Sequence, residues 1–386
     1  MNIFEKDKNY IANTYGRFPV EIVSGKGEIV KDQNGKEYID LGSGIAVNTF
    51  GMADDEWVEA VTNQLKAFQH TSNLYYTNPC VSLAELICQK TGFKKVFFGN
   101  SGAEANECAI KVARKYGAEK KGSEYFNIIT LKNSFHGRTI TTLAATGQDV
   151  FHKDFLPLTD GFLYAEANNL ESIEKLVSEN KVCAIMMETI QGEGGVNVLT
   201  KEFVEGAYKL CQKEDILLII DEVQTGNGRT GKLYSYMHYD IVPDIFTTAK
   251  GLGAGLPIGA AVLNEKVENT LKASDHGSTF GGNPVCCAGA VNVLSRIDEK
   301  LLKEVEEKSN YIISELEKCE GVISVSGRGL MLGIETKKDA GEVIAKAMEL
   351  GVLPLKAKNK VRLLPPLNIS TENLQKAVEI LKKAMI

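Results

Sequence analysis

Lys250 follows the apolar run DIFTTA and is itself followed by Gly251, Gly253 and Gly255. Lysine is ordinarily a surface residue with a solvated head. One that closes a buried strand, flanked by glycines that let backbone pass close by, is placed for chemistry. As a free amine with a reference pKa of about 10.4, roughly 1 in 10³ of it is neutral at pH 7. It becomes a useful nucleophile when desolvated or converted to an imine.

Other apolar runs end in the same way. Glu188 follows AIMM, Asp221-Glu222 follow ILLII, and Asn100-Ser101-Gly102-Ala103 follow VFF. In an open parallel sheet, ligands bind beyond the carboxyl ends of the strands. Four strands therefore deliver an anion-binding turn, carboxylates and an amine to one edge. The turn NSGAEANE puts small residues before a helix N-terminus, whose free N–H groups and dipole suit a phosphate. Ser101 also fits an N-cap, with Glu104 completing a capping box; the two roles are compatible. A carboxylate such as Asp221, facing a pyridine nitrogen, keeps that nitrogen protonated and makes the ring an electron sink. Phosphate site, imine-forming lysine and ring-holding aspartate together describe pyridoxal phosphate.

The elements needed to position these groups are legible. KKVFFGN, EYFNIITL, KVCAIMME, DILLIIDE, DIFTTAK and PIGAAVL are continuous rather than alternating apolar runs, as in strands buried on both faces. Helical stretches such as LESIEKLVSEN and KEFVEGAYKLCQKE lie between them. The pattern predicts an α/β fold with a mostly parallel sheet and helices on both faces. The ends differ. GKGEIVKDQNGKEYIDL predicts a hairpin turning at Asn34-Gly35. Beyond Pro284 a long helical stretch runs through DEKLLKEVEEKSNYIISELEKC, followed by the strand-like VISVSGRG, MLGIET and VLPLKA and the helix TENLQKAVEILKKAMI. The division predicted is a large domain over 46–284 and a smaller α+β domain from 1–45 with 285–386.

Composition narrows the function classes. The 386 residues are 44% hydrophobic and 24% charged, with net charge −6. This is ordinary for a soluble globular protein and advertises no nucleic-acid surface. No apolar run reaches the ~18–20 residues of a membrane span, and MNIFEKDKNY lacks a signal-peptide core. The eight cysteines form no CxxC pair and are expected as reduced core residues of a cytoplasmic protein. The five histidines have no metal-ligand spacing, so no metal site is expected. GNGRTGKL approaches a P-loop, but Leu233 stands where Ser or Thr must hold magnesium. GLGAGLPIG is not GxGxxG and leads into a strand rather than a helix.

In order along the chain, NSGAEANE, SFHGRT, IQGEGGV, IIDEVQTGNGRTG, AKGLGAGLPIGA and HGSTFGGNP resemble the motif series of the class III pyridoxal-phosphate aminotransferases. YGRFPVEIVSGKG, GIAVNTFG and SNLYYTNP resemble the N-terminal part of that family, so the likeness covers essentially the whole chain. It implies a fold-type I enzyme with a mainly parallel seven-stranded sheet, and a homodimer with active sites at its interface. It also implies that Lys250 holds the cofactor and shuttles the proton. Asp221 would bind the ring nitrogen, Val223 pack under the ring and Gln224 contact its hydroxyl. Ser101, Gly102 and Ala103 would hold the phosphate, with Glu222 among the cofactor contacts. Phe135 would stack on the ring, or else be a core aromatic. Thr279 would reach the phosphate and Ser278 the donor site from the partner subunit. One departure stands out: the family's Gly-His-x-His-Pro is replaced by Gly51-Met52-Ala53-Asp54-Asp55, where Asp54 is expected to cap the helix beginning DEWVEAV.

The reaction implied is transfer of a terminal amine to 2-oxoglutarate. An acylated ornithine is the first choice of donor, which would place the reaction in arginine biosynthesis. Ornithine, succinylornithine and 4-aminobutyrate are alternatives, and an aminomutase-like isomerase is a further class. Arg138 and Arg362 suit carboxylates, because a guanidinium grips them in a bidentate fork. By the resemblance, Glu193 pairs with an arginine in the amine half-reaction and swings away for the keto acid. The plainer alternatives are that Arg362 ties the two domains together and that Glu193 merely ends a loop.

Overall fold

The computed structural model describes all 386 residues. Seven strands form the central sheet: β1 (Lys95–Gly99), β2 (Asn127–Leu131), β3 (Phe162–Ala165), β4 (Val182–Met187), β5 (Leu217–Asp221), β6 (Ile245–Thr248) and β7 (Gly259–Leu263). Their spatial order is β1-β7-β6-β5-β4-β2-β3. Every residue of β4, β5, β6 and β7 is buried, which explains their largely apolar runs. Fully burying a side chain such as Ile219 or Ile220, both 0% exposed, contributes roughly 1.5–3 kcal/mol.

Strands β2 through β6 run parallel, while β7 is antiparallel to both β6 and β1. Two reversals return β1 to the direction of the parallel set. The carboxyl ends of β1, β4, β5 and β6 therefore share one edge, together with the amino end of β7. That topology brings Asn100, Glu188, Asp221 and Lys250 together, and it adds the segment leading into Gly259.

The helix Gly102–Lys121 buries Ala105, Ala109, Ile110, Ala113 and Tyr116, the apolar face predicted from their spacing. Helices Leu170–Glu179 and Lys201–Glu214 form where the periodicity places them. The expected long helix after Pro284 is two helices, Pro284–Arg296 and Glu299–Leu316. The break falls at Asp298, whose side chain accepts from Leu301 N at 2.8 Å and so starts a new helix.

The chain ends build two four-stranded sheets. In one, Ile29–Asp32 and Glu37–Asp40 form the expected hairpin. Asp32 accepts from Asn34 N and Lys36 N, and Gly35 supplies the positive φ of +80° that the turn requires. Val352–Leu353 joins the same sheet alongside Glu37–Asp40. In the other, the strand Lys360–Leu363 pairs with Met331–Thr336 and carries Arg362. Asp54 caps Asp55–Ala67 as expected, accepting from Trp57 N at 3.0 Å. Arg296 also binds the Asp54 carboxylate through both terminal nitrogens. No helix is long and apolar enough to cross a membrane.

Candidate active site

A cavity of about 500 Å³ opens at the carboxyl edge of the sheet. Its walls include Ser101, Gly102 and Ala103 from the helix start, Phe135 and Arg138 from the loop after β2, Asp221, Val223 and Gln224 after β5, and Lys250 after β6. Nine of the fourteen residues singled out from sequence therefore meet in one place. Leu256, Pro257 and Ile258 close the side made by the amino end of β7.

The helix start is built to leave donors free. Ser101 Oγ accepts from Glu104 N at 3.2 Å. Glu104 does not close the capping box on the Ser101 amide; it reaches past it to Asn100 N at 2.9 Å and Asn100 Nδ2 at 2.8 Å. The amides of Ser101, Gly102 and Ala103 are thus positions an α-helix leaves without an internal acceptor. Gly102 is required by close approach, since a Cβ there would sit 2.6 Å from Val223 Cγ1. The helix start and the loop after β5 are consequently two adjoining lips of one cavity.

Asp221 is 3% exposed. Its Oδ2 accepts from Asn106 Nδ2 and from His136 Nδ1–H, both at 2.8 Å, and its Oδ1 accepts from Val223 N at 3.0 Å. Asn106 is held in turn by Thr247 Oγ1, which donates to its Oδ1 at 2.7 Å. Three donors fix the carboxylate, and lone-pair capacity remains on Oδ1 for a protonated nitrogen in the cavity.

Lys250 sits at φ +45°, in the left-handed region. Its Nζ has no carboxylate within 4 Å and no hydrogen-bond partner. Burial pushes this amine below the usual lysine range; nearby Arg362 acts in the same direction, while Glu193, Asp221 and Glu188 pull the other way. An unpaired amine of lowered pKa, facing a cavity with a phosphate-ready rim and a fixed carboxylate, fits pyridoxal phosphate.

Behind Gln224 lies a second layer. Glu193 stands in the turn between the short strands Ile190–Gln191 and Asn197–Val198. Arg362 Nη1 donates to Glu193 Oε1 at 2.6 Å and to Gln224 Oε1 at 3.1 Å. Burial alone would raise Glu193, but the Arg362 guanidinium outweighs it, with help from Lys250 and Gln224, and holds the carboxyl below its usual range. Arg138 differs from Arg362: it is exposed at the cavity and stacks on Phe151 and Phe135, with no carboxylate partner.

One expected cofactor contact is corrected. Glu222 does not face the cavity; it is fully buried on the other side of the strand end. Its carboxylate accepts from Thr225 Oγ1, Ser235 Oγ and Tyr236 N at 2.6–2.8 Å. Successive residues of an extended chain point to opposite faces, so the turn of Asp221 toward the cavity sends Glu222 away. Ser278 and Thr279 lie outside the cavity of their own chain. Ser278 Oγ accepts from Asn100 Nδ2 at 3.0 Å, and Thr279 is exposed.

Sequence reasoning missed Asn106 and His136 and gave Glu188 no role in the site. Asn106 carries a signal in hindsight, as a polar residue on the buried face of its helix. Glu188 accepts from Phe135 N and Gly192 N. Burial pushes its carboxyl up to about 7, against the pull of His136 and with the help of the Asp221 charge.

The family model Aminotransferase class-III matches residues 10–385. The acetylornithine aminotransferase of Haemophilus ducreyi is 49% identical over 385 residues, covering 99% of this chain and 98% of the relative. The crystal structure of N-acetylornithine aminotransferase from Stenotrophomonas maltophilia matches with a TM-score of 0.86 at 35% identity, over 99% of this chain and 98% of that one. An ornithine aminotransferase structure from Toxoplasma gondii, described with partial occupancy of PLP at its active site, matches with a TM-score of 0.94 at 33% identity, over 99% and 93%.

Proposed function

The chain belongs to the class-III aminotransferases, and we propose that it moves the terminal amino group of N-acetylornithine to 2-oxoglutarate, giving N-acetylglutamate semialdehyde and glutamate. The observation that carries this reading is the unequal state of the two arginines. Arg138 is open at the cavity, while Arg362 is masked by Glu193 at 2.6 Å. A donor whose single carboxylate lies far from its reacting amine needs one open arginine. An acceptor with two carboxylates needs both, and it can displace Glu193 to obtain the second. The 49% identity to an acetylornithine aminotransferase supports the same donor.

Enzymes of this class use pyridoxal 5′-phosphate, which when bound supplies an electron-withdrawing pyridinium and carries the amino group between the two half-reactions. In this reading the amides of Ser101, Gly102 and Ala103 receive its phosphate, and Val223 and Phe135 flank its ring. Asp221 would keep the ring nitrogen protonated, and Gln224 would be the partner for the ring hydroxyl. Lys250 Nζ would hold the cofactor covalently and, once released from it, would accept and return the proton that moves in each half-reaction. Desolvation around Lys250 favours its neutral, proton-accepting form.

The two terminal four-stranded sheets are read as the core of a smaller domain, from 1–45 with 285–386, closing on a large domain of 46–284. The assembly is read as a homodimer, with Ser278 and Thr279 completing the partner's cavity, and the compartment as the cytoplasm. A panel of amine donors with 2-oxoglutarate tests the function. N-acetylornithine should give the highest kcat/KM, with glutamate formed in equal amount. Preference for ornithine, succinylornithine or 4-aminobutyrate would reassign the donor. Turnover without any keto acid would indicate an isomerase.

A further inference from the structure

We propose that Phe151 is a positioning residue for substrate recognition: its ring, together with that of Phe135, holds the Arg138 guanidinium ready for a substrate carboxylate. This rests on the aminotransferase reading, with Arg138 as the open carboxylate receptor. Phe151 lies outside every motif that identifies the family and is not itself part of the cavity wall.

The Arg138 guanidinium carbon stands 4.6 Å from the centre of the Phe151 ring and 5.8 Å from that of Phe135. The two rings meet edge to face at 77°, with centres 5.9 Å apart. These rings are the only partners the guanidinium has, since no carboxylate lies within 4 Å and no acceptor takes its N–H groups. A cation over an aromatic face is attracted by the ring quadrupole, and stacking leaves the N–H edge of the fork unused. An arginine tied to a carboxylate is restrained but occupied; one tied to rings is restrained and available.

The platform and the arginine belong to one braced unit. Phe151 closes the turn Asp149–Phe151, its N–H donating to Gln148 O at 3.0 Å. The Gln148 side chain donates to Ser134 O at 2.9 Å, next to Phe135. On the other side His152 Nε2–H donates to Leu143 O at 2.9 Å. Leu143 lies in the helix Ile140–Ala145, which begins two residues after Arg138. Asp149, the nearest carboxylate along the chain, is fully exposed and faces His152 at 4.0 Å. The turn thus presents a ring rather than a charge to Arg138.

The test uses holoenzyme and glutarate, an unreactive dicarboxylate, titrated calorimetrically into wild type, Phe151→Leu, Phe151→Tyr and Arg138→Ala. Phe151→Leu should weaken glutarate about 3- to 5-fold, the scale of one cation–ring contact at an exposed site, and Phe151→Tyr should keep wild-type affinity. kcat/KM should fall by a similar factor for N-acetylornithine but hold for n-pentylamine, which has no carboxylate. In the Arg138→Ala background, Phe151→Leu should add less than about 2-fold, because the residue acts through the arginine. Equal losses with both amines, or full additivity with Arg138→Ala, would overturn the inference. If Arg138→Ala weakens glutarate and Phe151→Leu does not, this inference alone fails. If Arg138→Ala leaves glutarate unaffected, the reading of Arg138 fails with it.

Discussion

Arg362 Nη1 and Glu193 Oε1 meet at 2.6 Å behind Gln224, an ion pair whose arginine is 3% exposed and whose carboxylate belongs to a hairpin turn. Removing Arg362 leaves Glu193, whose side chain is 31% exposed, charged and without its main partner at the site. Arg362→Ala should therefore impair both half-reactions, by about 10-fold or more in kcat/KM. Glu193→Ala unmasks the arginine. It should tighten or preserve 2-oxoglutarate while reducing the preference for the monocarboxylate donor. Single-turnover spectra of each half-reaction separate the two cases. Wild-type affinity in both half-reactions for Arg362→Ala would place the carboxylate clamp elsewhere.

Lys250 combines a lowered amine pKa, an unpaired Nζ and a φ of +45°. Such backbone positions cost on the order of 1 kcal/mol and persist where the surroundings over-determine them. Borohydride reduction of the holoenzyme should leave a pyridoxyl group on Lys250, found by peptide mapping. Lys250→Ala should cut turnover by at least about 10³-fold, the scale of a lost acid–base group. It should still retain cofactor noncovalently through the helix start. A label on another lysine would contradict the assignment.

Much of this site was legible because strand ends are legible. A buried strand announces itself by a largely apolar run without charges, and the first charged residue after it marks the edge: Glu188, Asp221 and Lys250 were all found that way. The same rule could not say which of two adjacent carboxylates faces the ligand, and Glu222 was misread for that reason. Asn106 and His136 escaped because their partner, Asp221, lies 115 and 85 positions away in sequence. Nothing local requires such a bond. The break at Asp298 was hidden because apolar spacing continues across it, and only the cap geometry divides the helix.

Asp221 is fixed by three donors, so its charge is held in place before any ligand arrives. Asp221→Asn keeps the shape and removes the charge. Activity should fall at least about 10²-fold, the scale of one preorganised electrostatic contact. Asn106→Ala removes one of two donors on Oδ2 and should cost less, about 10-fold, with His136 retaining the carboxylate. Steady-state kcat for the two variants checks the order. A larger loss at Asn106 than at Asp221 would mean that the helix, not the carboxylate, is what the site depends on.

Glu188 sets a pH dependence of stability whose direction is opposite to that of an ordinary paired carboxylate. Burial comes first among its influences, with Asp221 adding to it and His136 opposing, and the result is a carboxyl pushed up to about 7. In the unfolded chain a glutamate titrates near 4.3. Between these values the folded protein binds more protons at this residue than the unfolded chain does, so stability falls as pH rises through the interval. The cost of charging Glu188 is absent below the unfolded pKa and complete once pH passes the folded one. Glu188→Gln removes the ionisation but leaves a single accepting oxygen where Oε2 took Phe135 N and Oε1 took Gly192 N, so one hydrogen bond is lost at every pH and the reading lies in how the difference changes with pH. With cofactor stripped from both proteins, the variant should gain on wild type by on the order of 1–3 kcal/mol between pH 5 and pH 8. Thermal unfolding at pH 5, 6, 7 and 8 reads this as a difference in Tm that widens with pH. A difference that stays constant across the series would show that Glu188 is already ionised at pH 5, and that the bonds from Phe135 N and Gly192 N outweigh its burial.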